Sequence, residues 1–251
     1  MKRFLIVQHT ASEYLGAIEQ QLEHRDIGFV YQRPFTGQTL PAHALQYDAL
    51  WLLGGAHAVT DRVACPWLDD ELRLLAAFRR AARPVIGIGL GALLVAQASG
   101  GVARAAPPHD AYWTTAHATA AGHDDPLARA VDGRQVLVMV NGGAELPPAI
   151  APLIVDDAGR WLAIRSDALT YGLLFRPELK PGMLEDMIME EGRPLPEHIG
   201  ELLATARAQW PATQQTTAAV VAALVAALDL MRERRKPPVF ALSPVVAQPS
   251  D

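Results

Sequence analysis

The chain has 251 residues, half of them hydrophobic and a fifth charged, a balance that suits a packed globular core and excludes a disordered polymer. A formal net charge of −5 offers no basic surface for nucleic acid or an anionic membrane, so neither is expected as a partner. Cys65 is the single cysteine, which excludes an internal disulfide and points to a reducing, cytoplasmic setting; the longest apolar run, residues 218–228, is about half the length that spans a bilayer.

The predicted elements alternate in the first half. Residues 4–7 read as a strand, followed by a helix with Leu15, Ile18 and Leu22 on one face. Residues 27–31 and 49–53 read as the next strands, the latter stopped by Gly54-Gly55. Leu68, Leu72, Leu75 and Phe78 mark a second amphipathic helix, 84–88 a fourth strand, and 90–98 a helix ending at Gly100-Gly101. Such alternation predicts βαβ units around a mostly parallel sheet covered on both faces.

The second half changes character. Residues 112–118, 135–140, 152–155, 161–164 and 170–175 are β-like, and Asp157-Ala158-Gly159 predicts a tight turn joining an antiparallel pair. Three helices are predicted at the end, over 181–190, 196–209 and 212–235. The apolar face Val220, Val221, Leu224 and Val225 is assigned to packing on the same domain rather than on another chain. The cluster Arg232, Arg234, Arg235 and Lys236 at that helix end complements its dipole. Residues 1–235 are read as one domain and the proline-rich residues 236–251 as an irregular tail.

In open α/β sheets, ligands collect beyond the carboxyl ends of the strands, and three predicted strand ends carry unusual residues. Gly54-Gly55, followed by His57, leaves backbone N–H groups able to face an oxyanion; the plain alternative is a tight turn. The segment Pro84-Val85-Ile86-Gly87-Ile88-Gly89-Leu90-Gly91-Ala92 has the form of a strand–turn–helix elbow with Gly89 at the turn. Gly87, Gly89 and Ala92 also meet a loose dinucleotide fingerprint, with Asp110 about twenty residues on, but Asp110 follows no apolar strand and the motif sits on the fourth strand. The third strand end is Tyr171-Gly172-Leu173-Leu174-Phe175-Arg176-Pro177-Glu178, where Arg176 and Glu178 stand at alternate positions.

Taken together, these segments resemble the class I glutamine amidotransferase family, most closely the stand-alone branch similar to the amidotransferase domain of GMP synthase. Gly54-Gly55 with Asp61 and Pro66-Trp67-Leu68 is similar to the family's oxyanion loop and following helix. Pro84, Gly87 and Gly91 hold the frame of its cysteine elbow, and Gly172, Phe175, Pro177 and Glu178 that of its histidine–glutamate strand end. The resemblance runs from about residue 4 to about residue 232 and is weakest over 102–131. It implies a three-layer α/β/α, flavodoxin-like fold with a central mixed sheet.

The departures bear on function. The resemblance puts Gly89 at the nucleophile position and Arg176 at the position of the general base, and leaves only Glu178, which would orient that base. Gly91-Ala92-Leu93 replaces the family's Gly-His-Gln, and Val140-Asn141-Gly142-Gly143 falls where relatives often carry a histidine. A guanidinium stays protonated and accepts no proton, and loss of a triad nucleophile alone costs about a millionfold in turnover. Glutaminase activity is therefore not expected. The implied role is a non-catalytic binding, regulatory or scaffold subunit, with a protein partner or a second copy of the chain. An open pocket would offer Gly54, Gly55, His57, Gly89, Leu90, Arg176 and Glu178 to a small carboxylate; Arg176 folded onto Glu178 would close it. The alternative is non-thiolate chemistry on a γ-glutamyl or related carboxylate compound, with His57 and Glu178 as acid–base groups. Cys65, off the elbow, reads as buried filler. His109, His117 and His123 are irregularly spaced with no cysteine beside them, so no metal and no cofactor is expected.

Overall fold

The computed structural model describes residues 2–104, 110–190 and 195–231. The first half lays down β1 (Lys2–Val7), α1 (Ala17–Glu23), β2 (Ile27–Gln32), β3 (Ala49–Leu52), α2 (Leu68–Arg80), β4 (Val85–Ile88) and α3 (Leu90–Ala98). The second half adds β5 (Val102–Arg104), β6 (Asp110–Thr115), β7 (His117–Ala118), α4 (Pro126–Val131), β8 (Gln135–Val140), β9 (Gly143–Glu145), β10 (Ile154–Val155), β11 (Trp161–Asp167) and β12 (Thr170–Leu173). Two helices close it, α5 (Pro181–Met189) and α6 (Ile199–Ala227).

The central sheet has eight strands in the order β2-β1-β3-β4-β12-β11-β10-β7. Strands β2, β1, β3, β4 and β12 run parallel, and β11, β10 and β7 extend the sheet antiparallel. The sheet is thus mixed, as expected. Three inner parallel strands show no alternation of buried and exposed positions because both faces are covered: every residue of β3, β4 and β12 is buried. Helices α1, α4 and α5 pack with α6, while α2 and α3 pack together, which gives the three layers. Separate two-stranded pairs, β5 with β9 and β6 with β8, stand beside the main sheet.

The turn at 157–159 joins β10 and β11 as predicted. Gly159 takes φ +78°, and Asp156 Oδ1 accepts from the N–H groups of Ala158 and Arg160 at 2.9 and 2.8 Å. The face of Val220, Val221 and Leu224 is buried on this chain's own core, as assigned.

One expectation fails. Residues 196–209 and 212–235 do not form two helices; α6 runs unbroken through Pro211. Proline removes one helical hydrogen bond, but the residues on both sides are anchored. Leu202 and Ala206 are buried before it, and Thr216, Thr217, Val220, Val221 and Leu224 after it. Thr217 Oγ1 also donates to the Pro177 carbonyl at 2.7 Å, tying the second half of α6 to the end of β12. Tertiary packing overrides the local break. The arginine cluster from residue 232, the 236–251 tail and His109 lie outside the described residues.

Candidate functional site

Four chain segments converge beyond the carboxyl ends of the parallel strands: the loop after β1, the Gly54-Gly55 loop after β3, the β4–α3 turn, and residues 174–180 after β12. Gly89 takes φ +55° and ψ −113°, a left-handed conformation that L side chains rarely adopt and that glycine accepts without strain. Its N–H donates to the Leu173 carbonyl at 2.8 Å, and the Gly91 N–H to Leu53 at 3.1 Å. Small residues are required here by close approach. A Cβ on Gly87 would lie 2.2 Å from the Gly91 carbonyl oxygen, and one on Gly91 2.0 Å from that of Leu52. Leu90 is buried, and its side chain sits against Gly55.

The buried Arg176 side chain lies over this elbow. A Cβ on Gly54 would meet its guanidinium at 2.3 Å, and one on Gly89 would meet its Cδ at 3.4 Å. Arg176 Nε donates to Glu178 Oε1 at 2.6 Å and Nη1 to the Met139 carbonyl at 3.0 Å, while Nη2 lies 2.8 Å from Glu13 Oε1. One cation thus faces two carboxylates, and all three side chains are buried. Burial opposes the charge on Arg176, but Glu178 and then Glu13 outweigh it and the guanidinium pKa is raised further. Burial raises the pKa of Glu178; Arg176 offsets this only in part, and the neighbouring Glu13 charge adds to the rise. Glu178 Oε2 has no hydrogen-bond partner among the described residues.

A second buried pair supports the glycine loop. His9 Nδ1 lies 2.9 Å from the Gly54 carbonyl, and His9 Nε2 lies 2.9 and 3.0 Å from the two oxygens of Glu71. Burial alone would discharge the ring. The Glu71 carboxylate and the Gly54 carbonyl outweigh it, so the His9 pKa is raised and both ring nitrogens donate. Thr10 Oγ1 donates to Glu13 Oε2 at 3.0 Å, which links the loop after β1 to the Arg176 cluster. Asn141 Nδ2 donates to the Ala56 carbonyl at 2.9 Å, tying the end of β8 to the glycine loop.

Of the residues singled out in the sequence, Gly54, Gly89, Arg176 and Glu178 meet in one place, with Gly55 and Leu90 in contact beside them. His57 does not join them. Its side chain is 42% exposed, its Nδ1 lies 3.7 Å from Asp61 Oδ2, and it makes no polar contact with Glu178. Cys65 is buried, and burial, followed by the nearby Glu71 and Asp61 charges, pushes its thiol up to about 12. His117 pairs with Asp157 at 2.8 Å on the surface. Among the described residues, no cluster of three or more His, Cys, Asp or Glu could hold a metal, and no helix is long and apolar enough to cross a membrane.

His9, Glu13 and Glu71 were not singled out in the sequence. A signal for them existed: His9 and Glu13 lie two and six residues past the buried apolar end of β1, and Glu71 interrupts the buried face of α2 three residues after Leu68 and four before Leu75.

No family model matches the chain. It is 32% identical over 128 residues to the glutamine amidotransferase-like protein YfeJ of Salmonella typhimurium, a match that covers 50% of this chain and 54% of that protein. The chain therefore spans about half the length of this curated relative. Among solved structures, its fold is similar to a glutamine amidotransferase of Methylobacillus flagellatus, with a TM-score of 0.78, 21% identity, and coverage of 96% of this chain and 100% of that one. It is also similar to a glutamine amidotransferase of Thermotoga maritima, with a TM-score of 0.74, 18% identity, and coverage of 89% and 98%.

Proposed function

We propose that this chain, which is class I glutamine amidotransferase-like in fold and sequence, has no glutaminase activity and serves as a binding or scaffold subunit of a larger assembly. The observation that carries this reading is the seat of Arg176. Its guanidinium occupies the space above Gly54 and Gly89, where a nucleophile and its substrate would have to stand, and is held there by Glu13, Glu178 and the Met139 carbonyl.

The chemistry follows from the residues present. Gly89 brings no nucleophilic atom to the elbow, and a guanidinium has no lone pair with which to act as a base. Cys65, with its thiol pushed up to about 12, supplies almost no thiolate near neutral pH and lies off the elbow. Glu178 is committed to Arg176, so it neither orients a base nor reaches a bound molecule. The non-thiolate alternative draws no support from this arrangement, since His57 and Glu178 are engaged with different partners.

Two measurements test the proposal. The purified full chain, incubated with glutamine and assayed for glutamate, should release none above the uncatalysed background. Turnover of glutamine or of a γ-glutamyl compound that is abolished by Glu178→Gln refutes the non-catalytic reading. Affinity purification of the tagged chain from its native cells should bring down one protein in stoichiometric amount. A chain that comes out alone refutes the subunit role.

A further inference from the structure

A cleft of about 530 Å³ lies at the carboxyl ends of β1 and β2, bounded among others by Gln8, Tyr14, Glu19, Tyr31, Arg33 and Phe35. We propose that it binds a small zwitterion of amino-acid type, with the ligand carboxylate on Arg33, its ammonium on Glu19, and an apolar side chain against Tyr14 and Phe35.

The arginine is fixed before any ligand arrives. Its Nε donates to Gln8 Oε1 at 2.9 Å, and its Cζ lies 5.0 Å from the centroid of the Tyr31 ring, so the planar fork is held by an edge and a face. Gln8 is itself buried, and its Nε2 donates to the carbonyls of Thr10 and Ala11 at 2.8 and 3.2 Å. Among the described residues, nothing accepts from the Arg33 Nη1 or Nη2 groups. This is the edge of the guanidinium that takes a carboxylate with two parallel hydrogen bonds.

The acid is fixed by the same tyrosine. Glu19 Oε1 accepts from the Tyr31 hydroxyl at 2.5 Å, and that hydroxyl in turn accepts from the Leu15 N–H at 2.9 Å. Burial, then Glu19, raises the Tyr31 pKa, so the hydroxyl remains a donor throughout the neutral range. Glu19 Oε2 has no partner among the described residues. Arg33 and Glu19 therefore sit on the face and at the tip of one ring, and they make no ion pair with each other. A flexible surface pair of opposite charge would normally close on itself. Here each is tied to a third group that holds it apart from the other, and a molecule carrying both charges a short distance apart can bridge them. An anion alone would meet the Glu19 carboxylate uncompensated, and a cation alone would meet Arg33. The volume lies within the range of sites for small metabolites, and the rings of Tyr14 and Phe35 supply the apolar wall such sites need. Nothing in this arrangement uses Gly89 or Arg176, so the inference stands apart from the non-catalytic reading.

The test is calorimetric titration of the full chain with L-phenylalanine and L-glutamine, alongside phenylpropionate and phenylethylamine, which each keep one of the two charges. At least one amino acid should bind saturably at millimolar or lower concentration. For L-phenylalanine, both single-charge analogues should bind at least about tenfold more weakly, as should the amino acid to Glu19→Gln and Arg33→Gln, while Arg33→Lys keeps part of the affinity. Glu19→Gln preserves the acceptor for Tyr31, and the analogue comparison needs no variant at all. No saturable binding of either amino acid, phenylpropionate binding as tightly as L-phenylalanine, or affinity unchanged in both charge-removing variants overturns the proposal.

Discussion

Arg176→Met removes the cation of the buried cluster while nearly preserving its volume, and should be among the most destabilising single changes in the chain. The side chains of Glu13, Arg176 and Glu178 are each 1% exposed, with Glu13 and Glu178 placed 2.8 and 2.6 Å from guanidinium nitrogens. At an effective dielectric of about 20, each contact at roughly 4 Å between charge centres supplies about 4 kcal/mol of attraction, much of which offsets the cost of burying the charges. Loss of one partner leaves the others buried and unpaired, the situation that costs about 3–5 kcal/mol. In a chain of this size that corresponds to a fall in melting temperature of roughly 6–20 °C. Urea unfolding followed by circular dichroism gives the free energy directly.

The pH dependence provides a sharper test of the cause. The folded pKa of Glu178 is already raised above its unfolded value, so its contribution to stability is fully present below the unfolded pKa and is lost as pH rises through the folded one. Without Arg176 both carboxyls should prefer the protonated state still more strongly. The gap between wild type and variant is therefore widest near neutral pH and narrows as pH falls through the carboxyl range. Glu178→Gln added to Arg176→Met should recover part of the loss. A variant as stable as wild type at neutral pH, or a gap that widens on acidification, refutes the ionic account of this centre.

Gly91→Ala should lower stability by about 3 kcal/mol or more, because the new Cβ meets the Leu52 carbonyl at 2.0 Å, whereas Gly182→Ala, with nothing within 4 Å of its Cβ, should raise it by about 0.5–1 kcal/mol through helix propensity; thermal melts of the two variants compare them. Pro211→Ala should stabilise the chain by about 1–3 kcal/mol, since Pro211 is exposed and its replacement restores a missing helical hydrogen bond; a destabilised variant in chemical denaturation contradicts the description of α6. Cys65, buried and with its thiol pushed up to about 12, should resist a thiol reagent in the native state near neutral pH and react fully on unfolding.

The alternation of apolar runs with amphipathic stretches was enough to read nearly every element of the sheet and its first three helices, because both periods are local properties of the chain. The glycines were legible for the same reason: Gly54, Gly87, Gly89 and Gly91 punctuate strand ends at fixed spacings. Pro211 misled because its local preference is a few kcal/mol at most, and the packing on both sides of it contributes more. His9, Glu13 and Glu71 escaped notice because a single charged residue near a strand or on a helix face has many ordinary explanations. Only contact distinguishes a buried partner from a solvated one. Glu13 lies more than 160 positions from Arg176 in the chain and 2.8 Å from it in space.

By itself, then, the sequence determined the layered α/β architecture, the likeness to glutamine amidotransferases, and the chemical character of the residues at Gly89, Arg176 and Glu178. It left two seats open for the Arg176 guanidinium: an open pocket, holding a charge ready for a carboxylate, or the side of Glu178. The tertiary structure decided between them. A guanidinium of fixed charge withdrawn from water must be surrounded by acceptors. Glu13 from the loop after β1, Glu178 from the segment after β12 and the Met139 carbonyl from β8 meet around it only when the chain is folded.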